Sequence, residues 1–432
     1  MIITKTFTLH QPAAIKPKVL NWLQQFNTFC FLDSNNYGHQ GKNHEVLVGA
    51  GVRRKFESGE SHALSGLQQF IDEKPCWLFG HLAYDVQTTG HIKPIRLQDR
   101  LHFPDTFFFE PATVLRIHQG ELSISSVQPD QIFEEIEKAD ALQKTHAVEN
   151  ISIQNKISRE EYIHIIQQLQ QHIQRGDCYE INFCQEFFAE HALVNPFVLY
   201  EKLNALSPNP FSALYRIDDK WLVSASPERF LQKKDRRLIS QPMKGTLPRN
   251  TKNSDGIKQE QQQLLASAKE KAENVMVVDL VRNDLSRICQ TGTVQVDELF
   301  GVYSFPQVHQ MVSTISGVLN DGVTFKDIIN AMFPMGSMTG APKINVMHLI
   351  DRYEKSNRGI FSGTVGYMTP GGDFDLNVVI RSLMYNQSTQ YLSFQAGSGI
   401  TIYADAEKEW DECMVKAKAI KEILKSVSAE RK

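Results

Sequence analysis

The sequence lacks paired cysteines, and its six cysteines are scattered over 432 residues. No two of them have the Cys-x-x-Cys spacing of zinc and redox sites, so neither a zinc site nor a disulfide framework is predicted. Apolar runs that approach the roughly 20 residues needed to span a bilayer are also missing. The first residues do not have the charged and apolar pattern of a signal peptide. These absences favour a protein of the reducing cytoplasm without a membrane partner.

A run of basic residues is absent as well, and the formal net charge is −3. The sequence therefore predicts no nucleic-acid partner, although a local basic pocket stays compatible with it. Charged residues make up 22% and apolar residues 41% of the chain, which is ordinary for a globular protein. The length exceeds what one simple core accommodates, so one large layered domain or two domains are expected.

Short strand patterns with turns between them fill much of residues 1–150, which we interpret as a β-rich N-terminal region. Residues 46–51 and 77–84 are two of its buried-strand candidates. A polar helix and tail leads from there into residues 151–432, which we interpret as the catalytic region. Strands and helices follow without a steady β-α-β rhythm. This favours an α+β fold in which large mixed or antiparallel sheets are flanked by helices.

Three helices are predicted in the second region. Ser158 and Glu161 have the spacing of a capping box at the start of the first, and Gly176 ends it. Residues 257–289 contain no proline or glycine and predict one long helix. Residues 406–426 predict a final helix.

Lys244 stands in the turn-forming stretch 241–249, where a proline and a glycine flank it. This pattern predicts a rigid loop that presents one side chain. Glu228 lies in a second short loop, 226–230, after an apolar run. A lysine amine and a carboxylate on neighbouring loops form a candidate nucleophile and general acid/base. A solvated surface charge is the plainer alternative for a single lysine.

Two pairs of glutamates have the three-residue spacing that puts both side chains on one helix face. One pair is Glu270 and Glu273, and the other is Glu409 and Glu412, followed on the same face by Lys416. Two carboxylate faces suit a hard cation such as Mg²⁺ that is bound jointly with an anionic substrate. In the alternative, the glutamates are solvated and Glu412 forms a plain i,i+4 ion pair with Lys416.

Two glycines and one arginine are further candidates for substrate contacts. Gly397 and Gly399 lack the third glycine of a dinucleotide fingerprint, and residues 336–343 do not have the Walker A spacing. Backbone N–H groups beside the two glycines can still approach a carboxylate. Arg381 interrupts an apolar strand pattern. It is either paired at a rim or placed to bind a substrate carboxylate in a two-pronged contact.

In combination, these segments resemble the chorismate-utilising enzymes. This family contains anthranilate synthase component I, aminodeoxychorismate synthase component I and the isochorismate and salicylate synthases. The resemblance is strong over residues 157–425 and looser in the N-terminal region, where it rests on 79–85. So many ordered motifs at compatible spacing are not expected by chance. The matching segments are 176–182, 226–230, 242–246, 273–284, 340–343, 363–367, 397–399 and 409–412.

The resemblance implies a role for each candidate residue. Glu228 would be the general acid that protonates the departing 4-hydroxyl of chorismate. Mg²⁺ would be bound by Glu273 and Glu412, with Glu270 and Glu409 as supporting carboxylates. The substrate would be held by Arg381, Lys416, the backbone of Gly397 and Gly399, Thr246, Ser337 and Tyr367.

Lys244 distinguishes the members of this family. Anthranilate and isochorismate synthases usually carry alanine at this position, whereas aminodeoxychorismate synthases carry lysine. The resemblance implies that Lys244 attacks ring C2 while Glu228 protonates the 4-hydroxyl, after which ammonia attacks C4 and expels the lysine. The amine must be neutral to attack. A pKa lowered by burial or by a neighbouring positive charge is therefore predicted for Lys244.

Three further positions bear on the reaction type. Glu180 stands where isochorismate-forming relatives place a water-activating lysine and many amine-using relatives a glutamine, so its role stays open. Gln310 stands where lyase-competent anthranilate synthases have a histidine, which weakens an anthranilate interpretation. The adjacent His309 keeps that alternative open.

The source of the amine follows from the same resemblance. The sequence has no Gly-x-Cys-x-Gly nucleophile segment of a glutamine amidotransferase, so a separate glutaminase subunit is expected to deliver ammonia. The expected product is 4-amino-4-deoxychorismate, on the route to 4-aminobenzoate and folate. Anthranilate synthase component I is the alternative within the family. A catalytically inactive chorismate-binding subunit is the alternative that is not an enzyme.

Overall fold

The computed structural model describes residues 1–37, 44–59, 63–86, 97–140, 151–251 and 253–429. The strands are β1 Ile3–Thr8, β2 Thr28–Asp33, β3 Val46–Ser58, β4 Leu78–Leu82, β5 Thr106–His118, β6 Glu121–Ser126, β7 Gln154–Asn155, β8 Glu180–Ala189, β9 Phe211–Ile217, β10 Lys220–Ser226, β11 Arg229–Lys234, β12 Arg237–Gln241, β13 Met243–Pro248, β14 Gln295–Ser304, β15 Val308–Val318, β16 Gly340–Ala341, β17 Thr364–Met368, β18 Phe374–Asn377, β19 Ser382–Asn386 and β20 Tyr391–Ile400. The helices are α1 Pro12–Leu23, α2 Ala63–Asp72, α3 Pro129–Lys138, α4 Arg159–Gln174, α5 Pro196–Leu206, α6 Ser254–Ala266, α7 Ala268–Ser286, α8 Phe325–Met332, α9 Lys343–Tyr353 and α10 Ala406–Ala429.

Antiparallel pairings join all 20 described strands into one continuous sheet, in which two large parts meet at the long strands β3 and β5 and are called here the first and second sheets. From β3, one sheet continues through β2, β9, β10, β19, β20 and β8. From the other edge of β5, the second sheet continues through β4, β17, β18, β11, β12 and β15, with β13 and β14 also paired to β15. A register shift between Val52 and Arg54 marks a bulge in β3, a feature that bends a strand. The predicted α+β fold with large antiparallel sheets is confirmed.

Helices cover the sheets over two apolar cores. The first core packs α1, α3, α4, α5, α9 and α10 against their strands, and the second packs α2, α7 and α8. N-terminal strands reach into the later part of the chain, since β2 pairs with β9 and β4 with β17. The proposed division at residue 150 stays a prediction, and residues 141–150 lie outside the described part. No helix in the described part combines the length and apolar character needed to cross a membrane.

Helix ends follow local sequence signals, with one exception. The Ser158 hydroxyl accepts a hydrogen bond from the Glu161 amide at 3.1 Å, and Gly176 has the left-handed φ of 85° that ends α4. The single long helix predicted over 257–289 is wrong. The chain breaks at Ser267, whose ψ of 110° is extended and whose hydroxyl accepts from the Glu270 amide. A serine inside a helical pattern has therefore become an N-cap, and it fixes where α7 begins.

Candidate active site

Lys244 lies in a bulged strand rather than in the predicted loop. β13 and β15 shift register between Met243 and Thr246, and Gly245 has a φ of 95° that favours glycine. A Cβ at Gly245 would lie 3.1 Å from Glu270 Oε2, so the glycine lets α7 approach the bulge closely. Asn274 of α7 donates to the Lys244 carbonyl at 3.4 Å. This contact, which the sequence did not reveal, ties the lysine to the helix of the predicted metal ligands.

Glu180 is the direct partner of Lys244. Lys244 Nζ donates to Glu180 Oε1 at 2.5 Å, and the side chains are 12% and 2% exposed. A Cβ at Gly399 would lie 2.5 Å from Glu180 Oε1 and 2.8 Å from Lys244 Nζ. A side chain at this position would displace the ends of both members of the ion pair. Gly399 therefore contributes to the site because it has no side chain. Glu180, whose role the sequence left open, lies in the site as the partner of Lys244.

The pKa of Lys244 is raised, whereas the sequence analysis predicted that it is lowered. Burial alone would lower this pKa, but the Glu180 and Glu273 carboxylates outweigh burial and hold it above the usual value of 10.5. The prediction is wrong because it considered burial and positive charge but no acidic neighbours. Lys244 is a buried ammonium, and it must transfer a proton before its nitrogen can form a bond.

Glu228 has the properties of a general acid at neutral pH. It lies between β10 and β11, is 3% exposed, and accepts a hydrogen bond of 2.7 Å from Ser337 Oγ. Burial raises its pKa from 4.5 to about 7, although Ser337, the Met243 amide, Lys244 and Arg381 each lower it. A carboxyl with this pKa is protonated part of the time at pH 7 and can both give and take a proton.

Arg381 is the free cation of the site. It does not interrupt a strand as predicted, because it lies between β18 and β19 with a φ of 51°. Burial lowers its pKa to about 10, and Glu228 partly offsets this effect. Among the described residues, none accepts a hydrogen bond from its guanidinium. Of the two alternatives for Arg381, a group available to a substrate carboxylate fits this geometry better than a rim ion pair.

The four glutamates lie on two helices within electrostatic reach of one another. Burial raises the pKa of Glu273 to about 7, with Glu180 and Glu270 adding to it and Lys244 opposing. Burial likewise raises the pKa values of Glu270 and Glu409, each with a contribution from Glu412. The coupling between Glu270 of α7 and Glu412 of α10 shows that the two helices face one acidic cleft.

Lys416 joins this cleft through α10. It pairs with Glu412 at 2.8 Å and donates to the Gly397 carbonyl at 2.9 Å. Burial works against ionisation of Glu412, but Lys416 lowers its pKa below the usual value. Ser398 Oγ donates to Glu409 Oε2 at 2.5 Å. The i,i+4 ion pair that was the alternative for Glu412 is therefore formed. Gly397 accepts a hydrogen bond from Lys416 through its carbonyl, whereas the sequence analysis considered its amide as a contact for a substrate carboxylate.

The donor set suits Mg²⁺ although it does not form a complete cage. In the described ranges, no three His, Cys, Asp or Glu side chains are arranged to hold a metal ion by themselves. Mg²⁺ commonly keeps several waters and takes one or two carboxylates together with an anionic substrate. All candidate donors here are carboxylate oxygens. Burial raises the pKa values of three of the four, neighbouring carboxylates add to the effect, and a bound cation would counter it. The assignment of Glu273 and Glu412 as ligands stays a prediction.

Gln310 and His309 face different parts of the structure. Gln310 Nε2 approaches Thr246 Oγ1 at 3.5 Å, and its Oε1 is a buried oxygen without a hydrogen-bond partner in the described part. His309 contacts Ser304 Oγ at 2.8 Å and Glu260 Oε2 at 3.0 Å. Thr246 and Gln310 thus lie next to the Lys244 bulge. His309 instead holds α6 against the hairpin of β14 and β15.

Tyr367 is not brought to this cleft. Its ring packs against Trp77 and Phe79 with centroid distances of 5.9 and 6.2 Å. It lies in β17, paired with Phe79 and Asp375, within the second sheet. The remaining predicted residues converge on the cleft, whereas a substrate contact by Tyr367 stays a prediction that its position does not support.

A comparison with known families agrees with this site. Residues 27–422 match the sequence profile of the family described as chorismate binding enzymes. The chain belongs to the chorismate-binding enzyme family. Within this family it is a chorismate-utilising enzyme, and the match covers the strands and helices that carry every residue of the cleft.

Relatives in this family are named for different activities, which are aminodeoxychorismate, anthranilate and isochorismate synthesis. The chain is 40% identical over 268 residues to aminodeoxychorismate synthase component 1 of Salmonella typhimurium, covering 62% of this chain but 58% of that protein. It is 31% identical over 432 residues to anthranilate synthase component 1 of Thermus thermophilus, covering 92% of both. The solved structure of MenF, the menaquinone-specific isochorismate synthase of Escherichia coli, has a TM-score of 0.78 at 20% identity, covering 98% of this chain and 95% of that one. The last likeness shows the fold alone.

Proposed function

We propose that this chorismate-binding enzyme is an aminodeoxychorismate synthase component I, which converts chorismate and ammonia to 4-amino-4-deoxychorismate. The observation that carries the proposal is Lys244 in a buried cleft beside Glu228, a carboxyl with a pKa of about 7. The 40% identity to the Salmonella enzyme supports it over a partial length. The supply of ammonia by a separate glutaminase subunit belongs to the same proposal.

The proposed chemistry begins with a proton transfer. Lys244 passes a proton to Glu180, which lies 2.5 Å away, and its nitrogen then bonds to C2 of the ring. Glu228 protonates the 4-hydroxyl, which leaves as water while both ring double bonds shift by one position. Ammonia bonds to C4, and the bond between C2 and Lys244 breaks. Two allylic displacements thereby replace one difficult direct substitution.

Binding groups surround this chemistry. The carboxylates of chorismate would meet Arg381 and Lys416, with Thr246, Ser337 and the glycine backbone at 397 and 399 lining the pocket. Glu273 and Glu412 would hold Mg²⁺, with Glu270 and Glu409 beside them. When bound, the cation would neutralise a substrate carboxylate and the crowded acids. We expect Glu273→Gln and Glu412→Gln to weaken the Mg²⁺ dependence of turnover, and an unaltered dependence would contradict their assignment.

Product identification tests the proposed function. Purified protein receives chorismate, Mg²⁺ and ammonium, and the products are followed by mass, fluorescence and pyruvate release. A product aminated at C4 without pyruvate supports the proposal. Fluorescent anthranilate with an equal amount of pyruvate would instead support anthranilate synthase component I, the candidate favoured by the full-length match to the Thermus protein.

A further inference from the structure

Lys269 is a lysine of the acidic cleft that neither the proposed chemistry nor the proposed substrate binding uses. Its Nζ lies 3.8 Å from Glu273 Oε1, and the two side chains are 58% and 13% exposed. Burial lowers the pKa of Lys269, but the carboxylates of Glu273, Glu409, Glu270 and Glu412 outweigh burial and raise it above the usual value of 10.5. One ammonium group is therefore within electrostatic reach of all four carboxylates of the predicted metal site.

The chemistry of the helix alone disfavours a lysine at this position of α7. Ser267 is the N-cap of α7, so Lys269 lies in the first turn of the helix. The positive end of the helix dipole is unfavourable for a cation there. A lysine four residues before a glutamate is also the weaker of the two orders of an i,i+4 pair. What favours a positive charge at this position is the group of carboxylates across the cleft, including those of α10.

Lys269 is held less tightly than the other two lysines of the cleft. Lys244 and Lys416 donate hydrogen bonds of 2.5 and 2.9 Å, the first to Glu180 and the second to the Gly397 carbonyl. No residue in the described ranges accepts a hydrogen bond from Lys269, and more than half of its side chain is exposed. Its ammonium group can therefore turn out to solvent on its flexible stem without the loss of a hydrogen bond.

We propose that Lys269 competes with Mg²⁺ for these four carboxylates and turns out to solvent when the cation binds. The inference rests on the Mg²⁺ site of the proposed function. A lysine is a single positive charge on a flexible stem, so it neutralises crowded carboxylates without coordinating them. Mg²⁺ carries two charges and takes carboxylate oxygens directly. Because both cations are attracted by the same acids and repel each other, Lys269 lowers the affinity of the cleft for Mg²⁺.

Removing the charge of Lys269 tests this competition without any substrate. Lys269→Met keeps a long side chain and a similar helix propensity. The Kd for Mg²⁺ is obtained from the rise in unfolding temperature over a series of MgCl₂ concentrations at constant ionic strength. We expect Lys269→Met to lower this Kd about fivefold, because the repulsion between the two cations is lost. Lys269→Arg keeps the positive charge, so its Kd should not fall below the wild-type value by more than about twofold.

Lys271→Met is the matched control, because it removes the same charge from the same helix. The Lys271 ammonium lies 5.5 Å from the centroid of the Phe300 ring. Its replacement should leave the Kd for Mg²⁺ within about twofold of the wild-type value. In about 1 M KCl, screening should reduce the effect of Lys269→Met to less than about twofold, since this lysine is more than half exposed.

Three results would overturn the competition. The first is a Kd for Lys269→Met that equals or exceeds the wild-type value, or no effect of Mg²⁺ on the unfolding temperature of either protein. The second is an equal fall in Kd for Lys271→Met. The third is an effect of Lys269→Met that salt does not reduce, which would indicate a change of packing instead of a loss of charge.

The same titration of Glu273→Gln separates this inference from the function on which it rests. If Glu273→Gln leaves the Kd for Mg²⁺ unchanged, the proposed metal site fails and the competition fails with it. If Glu273→Gln weakens Mg²⁺ binding but Lys269→Met does not strengthen it, only the competition fails. All titrations use the full chain with Mg²⁺ alone, so they do not depend on which product the enzyme forms from chorismate.

Discussion

Arg358, which lies outside the cleft, and Arg381, which lies inside it, differ in how many of their hydrogen bonds the protein satisfies. Arg358 is bound on every side: it pairs with Glu354 through two hydrogen bonds of 2.7 and 2.9 Å and donates to the carbonyls of Met338 and Asn182. The Tyr84 ring lies 4.5 Å from its guanidinium. Arg381, by contrast, has no hydrogen-bond acceptor anywhere in the described part of the chain.

The difference separates charges that maintain the fold from charges that are available to a ligand. A buried ion pair with all its hydrogen bonds satisfied offers nothing to a substrate, because its capacity is used. The cleft instead collects Arg381 and the Gln310 amide oxygen, which have no hydrogen-bond partner in the described part, and carboxyls whose pKa values burial raises. Such groups lower the stability of the folded protein and become satisfied when a charged ligand binds.

Replacing the nucleophile should produce the largest change. We expect Lys244→Ala to slow C4 amination by about 10³-fold or more, because the covalent route is lost. Lys244→Arg keeps a cation beside Glu180 but cannot lose its proton readily, so it should be similarly slow. Single-turnover kinetics with ammonium measure both. Turnover by Lys244→Arg within tenfold of the wild-type rate would show that Lys244 acts only as a charge.

Removing the structural arginine should affect stability and leave the chemistry in place. Arg358→Met leaves Glu354 as an uncompensated buried charge, and we expect a loss of about 3–5 kcal/mol in the free energy of unfolding. Denaturant unfolding measures this loss. The double variant Arg358→Met with Glu354→Leu should recover most of it, because both charges are then absent. A double variant as unstable as the single one would show that the pair is not the cause.

Replacing Glu228 should have the opposite outcome to replacing Arg358, because activity should be lost while stability rises. Its pKa rises from 4.5 in the unfolded chain to about 7 in the folded protein. The folded state therefore binds the proton more tightly, and stability falls as the pH rises from about 4.5 to 7, by an amount on the order of 3 kcal/mol. Glu228→Gln cannot ionise, so we expect it to be inactive yet more stable than the wild-type protein at pH 8, with little difference at pH 4.5.

Thermal unfolding at the two pH values provides the measurement, and Glu260→Gln provides a control of opposite sign. Burial raises the pKa of Glu260, but the hydrogen bond to His309, together with other contacts, outweighs burial and holds this pKa below its usual value. Its contribution to stability is therefore present above the ordinary carboxyl pKa and lost at lower pH. Glu260→Gln should lower stability at pH 8. Equal effects of both variants at pH 8 would contradict the assigned pKa directions.

Local sequence signals predicted much of this site because its chemistry lies in short motifs. The residue types at Lys244 and Glu228, and the helix spacing of Glu270 and Glu273, can be read without knowing the fold. The raised pKa of Lys244 could not be predicted, because Glu180 is 64 residues away in the chain and approaches it only in the folded structure, through a side-chain contact between unpaired strands. The position of Arg381 was missed for a related reason. An apolar stretch suggested a strand, and only tertiary contacts place this residue at a positive φ.

Replacing the free arginine should have the smallest effect, confined to binding. Arg381→Gln removes a charge that burial disfavours, so we expect the free energy of unfolding to stay equal or to rise slightly. The KM for chorismate should rise about tenfold, which corresponds to about 1.4 kcal/mol of lost substrate binding. Arg381→Lys is the matched variant, because it keeps the charge but cannot make a two-pronged contact. A KM for Arg381→Lys equal to that of the wild-type enzyme would show that charge alone is sufficient. A large loss of stability in either variant would instead place Arg381 with Arg358 among the residues that maintain the fold.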